Sequence, residues 1–148
     1  MNVIITGASK GIGKAIAIKF AAAGHDLFLC SRKAEGLKAT ADEISSTYPG
    51  IAVRHLPADL SINEEVVLFA NWCLQHGAPG ILINNAGVYL PGSTMDEAEG
   101  ALEMMMNTNL YSAYHLTRKL LPAMIEKKHG HIFNICSIAS LAAYDGGG

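Results

Sequence analysis

Charge is scarce in this chain. Of 148 residues 16% are charged, 11 Lys and Arg against 13 Asp and Glu, for a formal net charge of -2. The cations are scattered along the sequence, so it lacks the basic patch that nucleic-acid binding needs. Cysteine is equally sparse: Cys30, Cys73 and Cys136 are odd in number and far apart. They lack the close Cys/His spacing of structural zinc and read as reduced thiols. His55, His76, His115, His129 and His131 show no ligand spacing either, and no metal site is expected. No apolar run reaches the roughly 20 residues that cross a bilayer. Met1-Asn2 leads straight into Val3-Ile4-Ile5 without a basic leader segment, so no membrane contact and a cytoplasmic location are expected.

Half of the residues are apolar, enough to fill a core, and the length suits one compact domain over residues 1–148. Short apolar runs at 3–5, 27–30, 51–56, 81–83 and 132–135 predict five strands. Between them, Ile12, Ile16, Phe20 and Ala23 recur at helical spacing until Gly24, and Leu37, Ala41 and Ile44 form a stripe over 34–47. Ser61 and Glu64 have the spacing of a capping box, predicting a helix from there to about His76. A long helical region is expected from about Thr94 to Lys128. Alternating strands and helices imply an α/β fold with a doubly wound parallel sheet, whose functional residues sit at the carboxyl ends of the strands.

After the first strand comes Thr6-Gly7-Ala8-Ser9-Lys10-Gly11-Ile12-Gly13. Glycines let such a turn tighten and admit a phosphate to the backbone, and the following helix start offers N–H groups and a favourable dipole. Packing alone would also explain a glycine turn. A nucleoside-triphosphate P-loop does not, because Gly13-Lys14 is followed by Ala15 and not by Ser or Thr.

Three residues separate Gly7 from Gly11, a departure from the usual Gly-x-Gly-x-x-Gly spacing. Thr-Gly-x-x-x-Gly-Ile-Gly at the amino end, with Asn84-Asn85-Ala86-Gly87 after the fourth strand, closely resembles the short-chain dehydrogenase/reductase family. The resemblance runs from Asn2 to Gly148 and implies a Rossmann fold around a nicotinamide dinucleotide. It implies contacts from Gly7, Ser9, Lys10, Gly11, Ile12 and Gly13 in the turn, from Asp59 and Leu60 to the adenine, and from Asn85, Ala86 and Gly87 along the cofactor.

At the end of the second strand, where NAD-binding folds present an acid to the ribose, this chain has Ser31-Arg32-Lys33. A carboxylate there would repel a 2′-phosphate, whereas a guanidinium can bind it through two parallel hydrogen bonds. With Lys10, these residues resemble the NADP-preferring members, and NADP(H) is the expected cofactor; solvated charges opening the second helix are the plainer reading of Arg32 and Lys33.

Carbonyl reduction by a nicotinamide needs hydride for carbon, a proton for oxygen and donors for the charge developing on that oxygen. The resemblance assigns Asn109 to the proton relay and Ser137 to the substrate oxygen; by themselves they would be an ordinary helix residue and a turn residue. The family's Tyr-x-x-x-Lys pair is absent from these 148 residues: it is expected just beyond Gly148, and the fourth residue after Tyr144 is Gly148. The chain as given is therefore expected to be nearly inactive, a truncated domain without the last strands and helices of the family fold.

The expected function is an NADPH-dependent oxidoreductase acting on a small-molecule carbonyl or alcohol, in the manner of 3-oxoacyl or sepiapterin reductases. A non-catalytic dinucleotide-binding module is the alternative. Tyr89, Leu90, Ser140 and Tyr144 are candidates to border the substrate pocket. Met104-Met105-Met106 reads as core packing. Between Asn109 and Lys128, Leu110, Tyr114, Thr117, Leu121 and Met124 form one apolar stripe, and Ala113, Leu116 and Leu120 a second. One stripe can cover the sheet, and the other suggests either a dimer or tetramer, as the resemblance also implies, or a helix buried in a larger core.

Overall fold

The computed structural model describes residues 1–93 and 95–141. Five parallel strands form one sheet in the order β3-β2-β1-β4-β5: β1 (Asn2–Thr6), β2 (Asp26–Ser31), β3 (Val53–Pro57), β4 (Ile81–Asn84) and β5 (His131–Asn134). Five helices connect them: α1 (Gly11–Ala22), α2 (Ala34–Thr47), α3 (Asn63–Gln75), α4 (Ala101–Met106) and α5 (Ser112–Glu126). This is the doubly wound Rossmann arrangement. The chain winds outward through β1, β2 and β3, then returns to place β4 on the other side of β1, so a crevice opens at the carboxyl ends of β1 and β4.

The central strands are apolar throughout because both faces are covered. Val3, Ile5, Leu27, Leu29, Ile81 and Ile83 point to one side and pack with Ala17 and Ala21 of α1 and Leu37, Ala41 and Ile44 of α2. Ile4, Phe28, Cys30 and Leu82 point to the other side, against Val66, Phe69, Ala70 and Cys73 of α3 and Leu116, Leu120 and Met124 of α5. Fully burying a side chain such as Phe28 or Phe69 contributes about 1.5–3 kcal/mol, and both are completely enclosed. Trp72 stacks on Phe69 with ring centroids 5.8 Å apart and meets Phe28 edge-on at 5.7 Å.

Several expectations from the sequence need correction. Residues 95–100 do not join a long helix; Thr94 lies outside the described residues, and α4 begins only after Gly100, whose φ of 84° breaks helical continuity. From Asn107 to Tyr111 the helix widens into a π-turn before α5 takes over. The capping box does not form: α3 starts at Asn63 without a side-chain cap, because the Ser61 hydroxyl donates instead to Asp59 Oδ1 at 2.7 Å. The third strand begins at Val53 and not at Ile51.

The core-facing stripe of α5 is Ser112, Leu116, Leu120 and Met124, so neither expected stripe survives intact. Leu110, Tyr114 and Leu121 are exposed. Met104 is exposed as well, and Met105 and Met106 are only half-buried, which removes the core-packing reading of that triplet.

Cys30 and Cys73 are buried, and Cys136 is exposed. Burial pushes the Cys30 thiol up to about 12, and desolvation raises Cys73 too. Since the thiolate is the reactive form, one equivalent of a disulfide reagent per chain is expected to react rapidly at pH 8, at Cys136. The other two should react only after denaturation, and rapid reaction of all three in the folded protein would contradict this packing.

Candidate functional site

The crevice is a cleft of about 740 Å³ lined by residues from four strand ends. From the glycine turn come Gly7, Ser9, Lys10, Gly11 and Ile12; from the end of β2, Ser31, Arg32 and Lys33; after β3, Asp59 and Leu60; after β4, Asn85, Ala86 and Gly87. All but one of the cofactor candidates thus line a single space. Gly13 is the exception, because it is buried beneath the turn. A Cβ placed on it would stand 2.3 Å from the Gly7 carbonyl oxygen and 2.5 Å from Asn85 Nδ2.

The turn is shaped to receive an anion. Gly7 and Gly11 have φ of 65° and 57°, values that disfavour side chains. A Cβ on Gly7 would meet Asn85 and Ala86, whereas one on Gly11 would meet no atom within 4 Å, so its open side leaves room for a ligand. Neither a side-chain cap nor a first-turn acid occupies the start of α1. A pyrophosphate fits this cradle.

Thr6 holds the two halves of the cradle together. Its hydroxyl oxygen accepts the N–H of Asn85 at 2.9 Å and of Ala86 at 2.8 Å, while Asn85 Nδ2 donates to the Thr6 carbonyl at 2.9 Å. The Thr40 hydroxyl donates to the Ser9 carbonyl at 3.0 Å and pins the outer side of the turn to α2. Nothing in the local sequence signals the role of Thr6, because threonine is at home in any strand. Thr6→Val keeps the shape and removes the acceptor. It is expected to cost about 1–3 kcal/mol, the usual penalty for a buried donor left unpaired, measurable as a lowered urea midpoint.

Lys10, Arg32 and Lys33 are exposed on the rim, and none belongs to the ion pairs among the described residues, Lys14–Glu43 and Lys38–Asp42. The sequence reading missed Glu35, Gly36, Ala58, Val88 and Thr108, which also line the cleft. Asp59 Oδ1 accepts both the backbone N–H of Ser61 at 3.0 Å and its hydroxyl, and Glu65 Oε2 accepts the Asp59 N–H at 2.5 Å, so the loop holds this carboxylate in place.

Neither catalytic candidate, Asn109 or Ser137, is among the residues that line the cleft. Asn109, on the π-turn, clasps the backbone of Val88: its Oδ1 accepts the Val88 N–H at 2.7 Å and its Nδ2 donates to the Val88 carbonyl at 2.8 Å. The helix widening thus ties the loop after β4 to α5. Ser137 follows β5, and its hydroxyl oxygen accepts the Ala139 N–H at 3.2 Å. Tyr89 and Leu90 are exposed after β4. Tyr144 lies outside the described residues.

A part-buried hydrogen-bond network is centred on the buried Asn84. Asn84 Nδ2 donates to Asn134 Oδ1 at 2.9 Å and to the Thr117 hydroxyl at 3.3 Å, joining β4, β5 and α5. Asn84 Oδ1 and Thr108 Oγ1 are buried without a protein partner. Thr108 is also among the residues that line the cleft.

Compared with known proteins, the whole chain, residues 1–148, matches the model of the short chain dehydrogenase family. The chain belongs to this family. Among curated relatives of this short-chain dehydrogenase, dehydrogenase/reductase SDR family member 7B of Xenopus tropicalis is 41% identical over 92% of the chain and 46% of its own length. The NADP-dependent 3-hydroxy acid dehydrogenase of Escherichia coli is 36% identical over 99% of the chain and 58% of its own length. A metagenomic short-chain oxidoreductase solved in complex with NADP superposes with a TM-score of 0.92 at 36% identity, covering 99% of this chain and 66% of that one. The chain spans about half the length of the curated relatives it matches. Among the described residues of this short-chain dehydrogenase, no helix is long and apolar enough to cross a membrane.

Proposed function

We propose that this chain binds NADP(H) and serves an oxidoreductase that transfers hydride between the nicotinamide and a carbonyl or alcohol substrate. The observation that carries the reading is the joint placement of Lys10, Arg32 and Lys33 on the rim of the cleft that holds the glycine turn. The NADP-bound neighbour and the NADP-dependent relative support the same cofactor. Gly7 to Gly13 would hold the pyrophosphate, Arg32 with Lys10 the 2′-phosphate, Asp59 and Leu60 the adenine, and Asn85 to Gly87 the approach to the nicotinamide.

When bound, the reduced nicotinamide supplies the hydride. Ser137, at the carboxyl end of β5, would donate its hydroxyl proton as a hydrogen bond to the substrate oxygen. Asn109 fixes the loop after β4 and would place its backbone for the proton relay. General acid catalysis, commonly worth about 10²- to 10⁴-fold, calls for a Tyr and Lys pair that these 148 residues do not contain. That absence favours a second reading for the chain in isolation: it binds the dinucleotide without turning it over.

Fluorescence titration tests both readings. NADPH is expected to bind with micromolar affinity and NADH at least tenfold more weakly, while the chain alone oxidises NADPH with 3-oxoacyl thioesters, pterins or ketones at a negligible rate. Failure to bind either dinucleotide would overturn the proposal. Rapid carbonyl-dependent oxidation by the isolated chain would overturn the second reading.

Leu110, Tyr111, Tyr114 and Ile125 give the helix from α4 to α5 an exposed apolar outer face, Ile125 with 65% of its surface accessible. This face supports association of two subunits, as dimers or tetramers of the whole protein. Ile125→Glu is expected to shift sedimentation toward the monomer.

A further inference from the structure

Outside the cofactor cleft, α3 and α5 pack against each other, and a cavity of about 310 Å³ opens between them. Asn63 and Val67 of α3 line one side, and His115, Arg118 and Lys119 of α5 line the other. Spacings of three and four residues put each set along one helix face. The cavity shares no lining residue with the cofactor cleft.

Its charge is one-sided. Arg118 and Lys119 are cations at neutral pH, the half-buried His115 adds an imidazole, and no carboxylate belongs to the lining. Glu64 and Glu65 stand in the first turn of α3, but neither lines the cavity, and the Glu65 carboxylate accepts the Asp59 N–H. Among the described residues the ion pairs are Lys14–Glu43 and Lys38–Asp42, so Arg118 and Lys119 have no carboxylate partner there. Arg118 is steadied by a neutral group instead. Its Nη1 donates to the Tyr114 hydroxyl at 3.3 Å, and its guanidinium carbon stands 5.5 Å from the Tyr114 ring centroid. One contact of this kind leaves the other guanidinium N–H groups for a ligand.

Size and charge together select the ligand. Pockets for small molecules run from about 300 to 1,000 Å³, so this cavity suits a small one and is too small for a second dinucleotide. Two fixed cations match a dianion, and a guanidinium beside an ammonium is a pairing suited to phosphate oxygens. A monocarboxylate would leave one cation uncompensated. We propose that the groove between α3 and α5 binds a small anion of the phosphate class, free or as a phosphate ester, through Arg118, Lys119 and His115, with Asn63 as a further donor.

Inorganic phosphate titrated into the ¹⁵N-labelled chain tests this, with sodium chloride at matched ionic strength as the control. The amide signals of Asn63, Val67, His115 and Lys119 are expected to shift and saturate with phosphate and to stay in place with chloride. Signals of Ser9, Gly11 and Lys33 report phosphate entering the cofactor cleft, so failure of the dinucleotide reading and failure of this one are told apart. Replacing both cations, Arg118→Gln with Lys119→Gln, should weaken phosphate at least tenfold with unchanged circular dichroism, because both side chains are exposed. Glycerol 3-phosphate binding more tightly than inorganic phosphate would identify an ester as the occupant, and equal or weaker binding would identify the free ion. Shifts that chloride reproduces, or phosphate binding untouched by the double variant, would overturn the proposal. So would a double variant that loses self-association in sedimentation while keeping phosphate, which would give the groove to a second copy of the chain.

Discussion

Arg32→Glu is expected to lower NADPH affinity by about 30- to 1000-fold while leaving NADH within a few-fold, inverting the cofactor preference. A charged hydrogen-bonded contact to phosphate contributes about 1.5–3 kcal/mol. The substitution removes that contact and sets a carboxylate against the 2′-phosphate, so the total reaches about 2–4 kcal/mol at about 1.4 kcal/mol per tenfold change. Arg32 is exposed, so the upper end requires low salt, and the difference between dinucleotides should shrink as ionic strength rises. Titrating both cofactors at two salt concentrations measures it. Equal weakening of NADPH and NADH would place Arg32 away from the 2′-phosphate and leave Lys10 and Lys33 as the discriminating cations.

Gly13→Ala should damage folding and binding together. The added methyl has no direction in which to yield: the Gly7 carbonyl and the Asn85 amide both stand within 2.5 Å of its position. Overpacking a tight interior costs about 1–3 kcal/mol, and relief would require prising the glycine turn from the loop after β4. Denaturant midpoint and NADPH affinity should fall together, the affinity by more than a hundredfold. Gly11→Ala is the informative contrast. Its methyl would enter open space, so the cost is the positive φ, about 1–2 kcal/mol, plus obstruction of the ligand. A Gly13→Ala protein with normal stability and normal affinity would show that the turn has slack.

What could be read from the sequence were the features whose cause is local. Short uncharged runs such as Ile81-Leu82-Ile83 announce strands covered on both faces, and glycines mark a turn because side chains are sterically excluded there. The rim cations were legible for the same reason: Arg32 follows its strand directly. What stayed hidden depends on distant partners. Thr6 resembles any strand threonine until Asn85 and Ala86 arrive, and Glu35 shows no sign from its neighbours that it faces the cleft. The region before α4 misleads because Glu97, Ala98 and Glu99 favour helix, while the left-handed Gly100 interrupts it. The capping residue was misplaced because Asp59, outside the expected pair, takes the Ser61 hydroxyl.

The bonds from Thr6 to Asn85 and Ala86 also bear on when the protein becomes competent. They close a loop of roughly eighty residues, and β4, which pairs with β1, follows β2 and β3 along the chain. Contacts so far apart in sequence form late and slowly. A nascent chain emerging from the ribosome would carry its complete glycine turn long before the loop after β4 that forms the other wall of the cleft has been made.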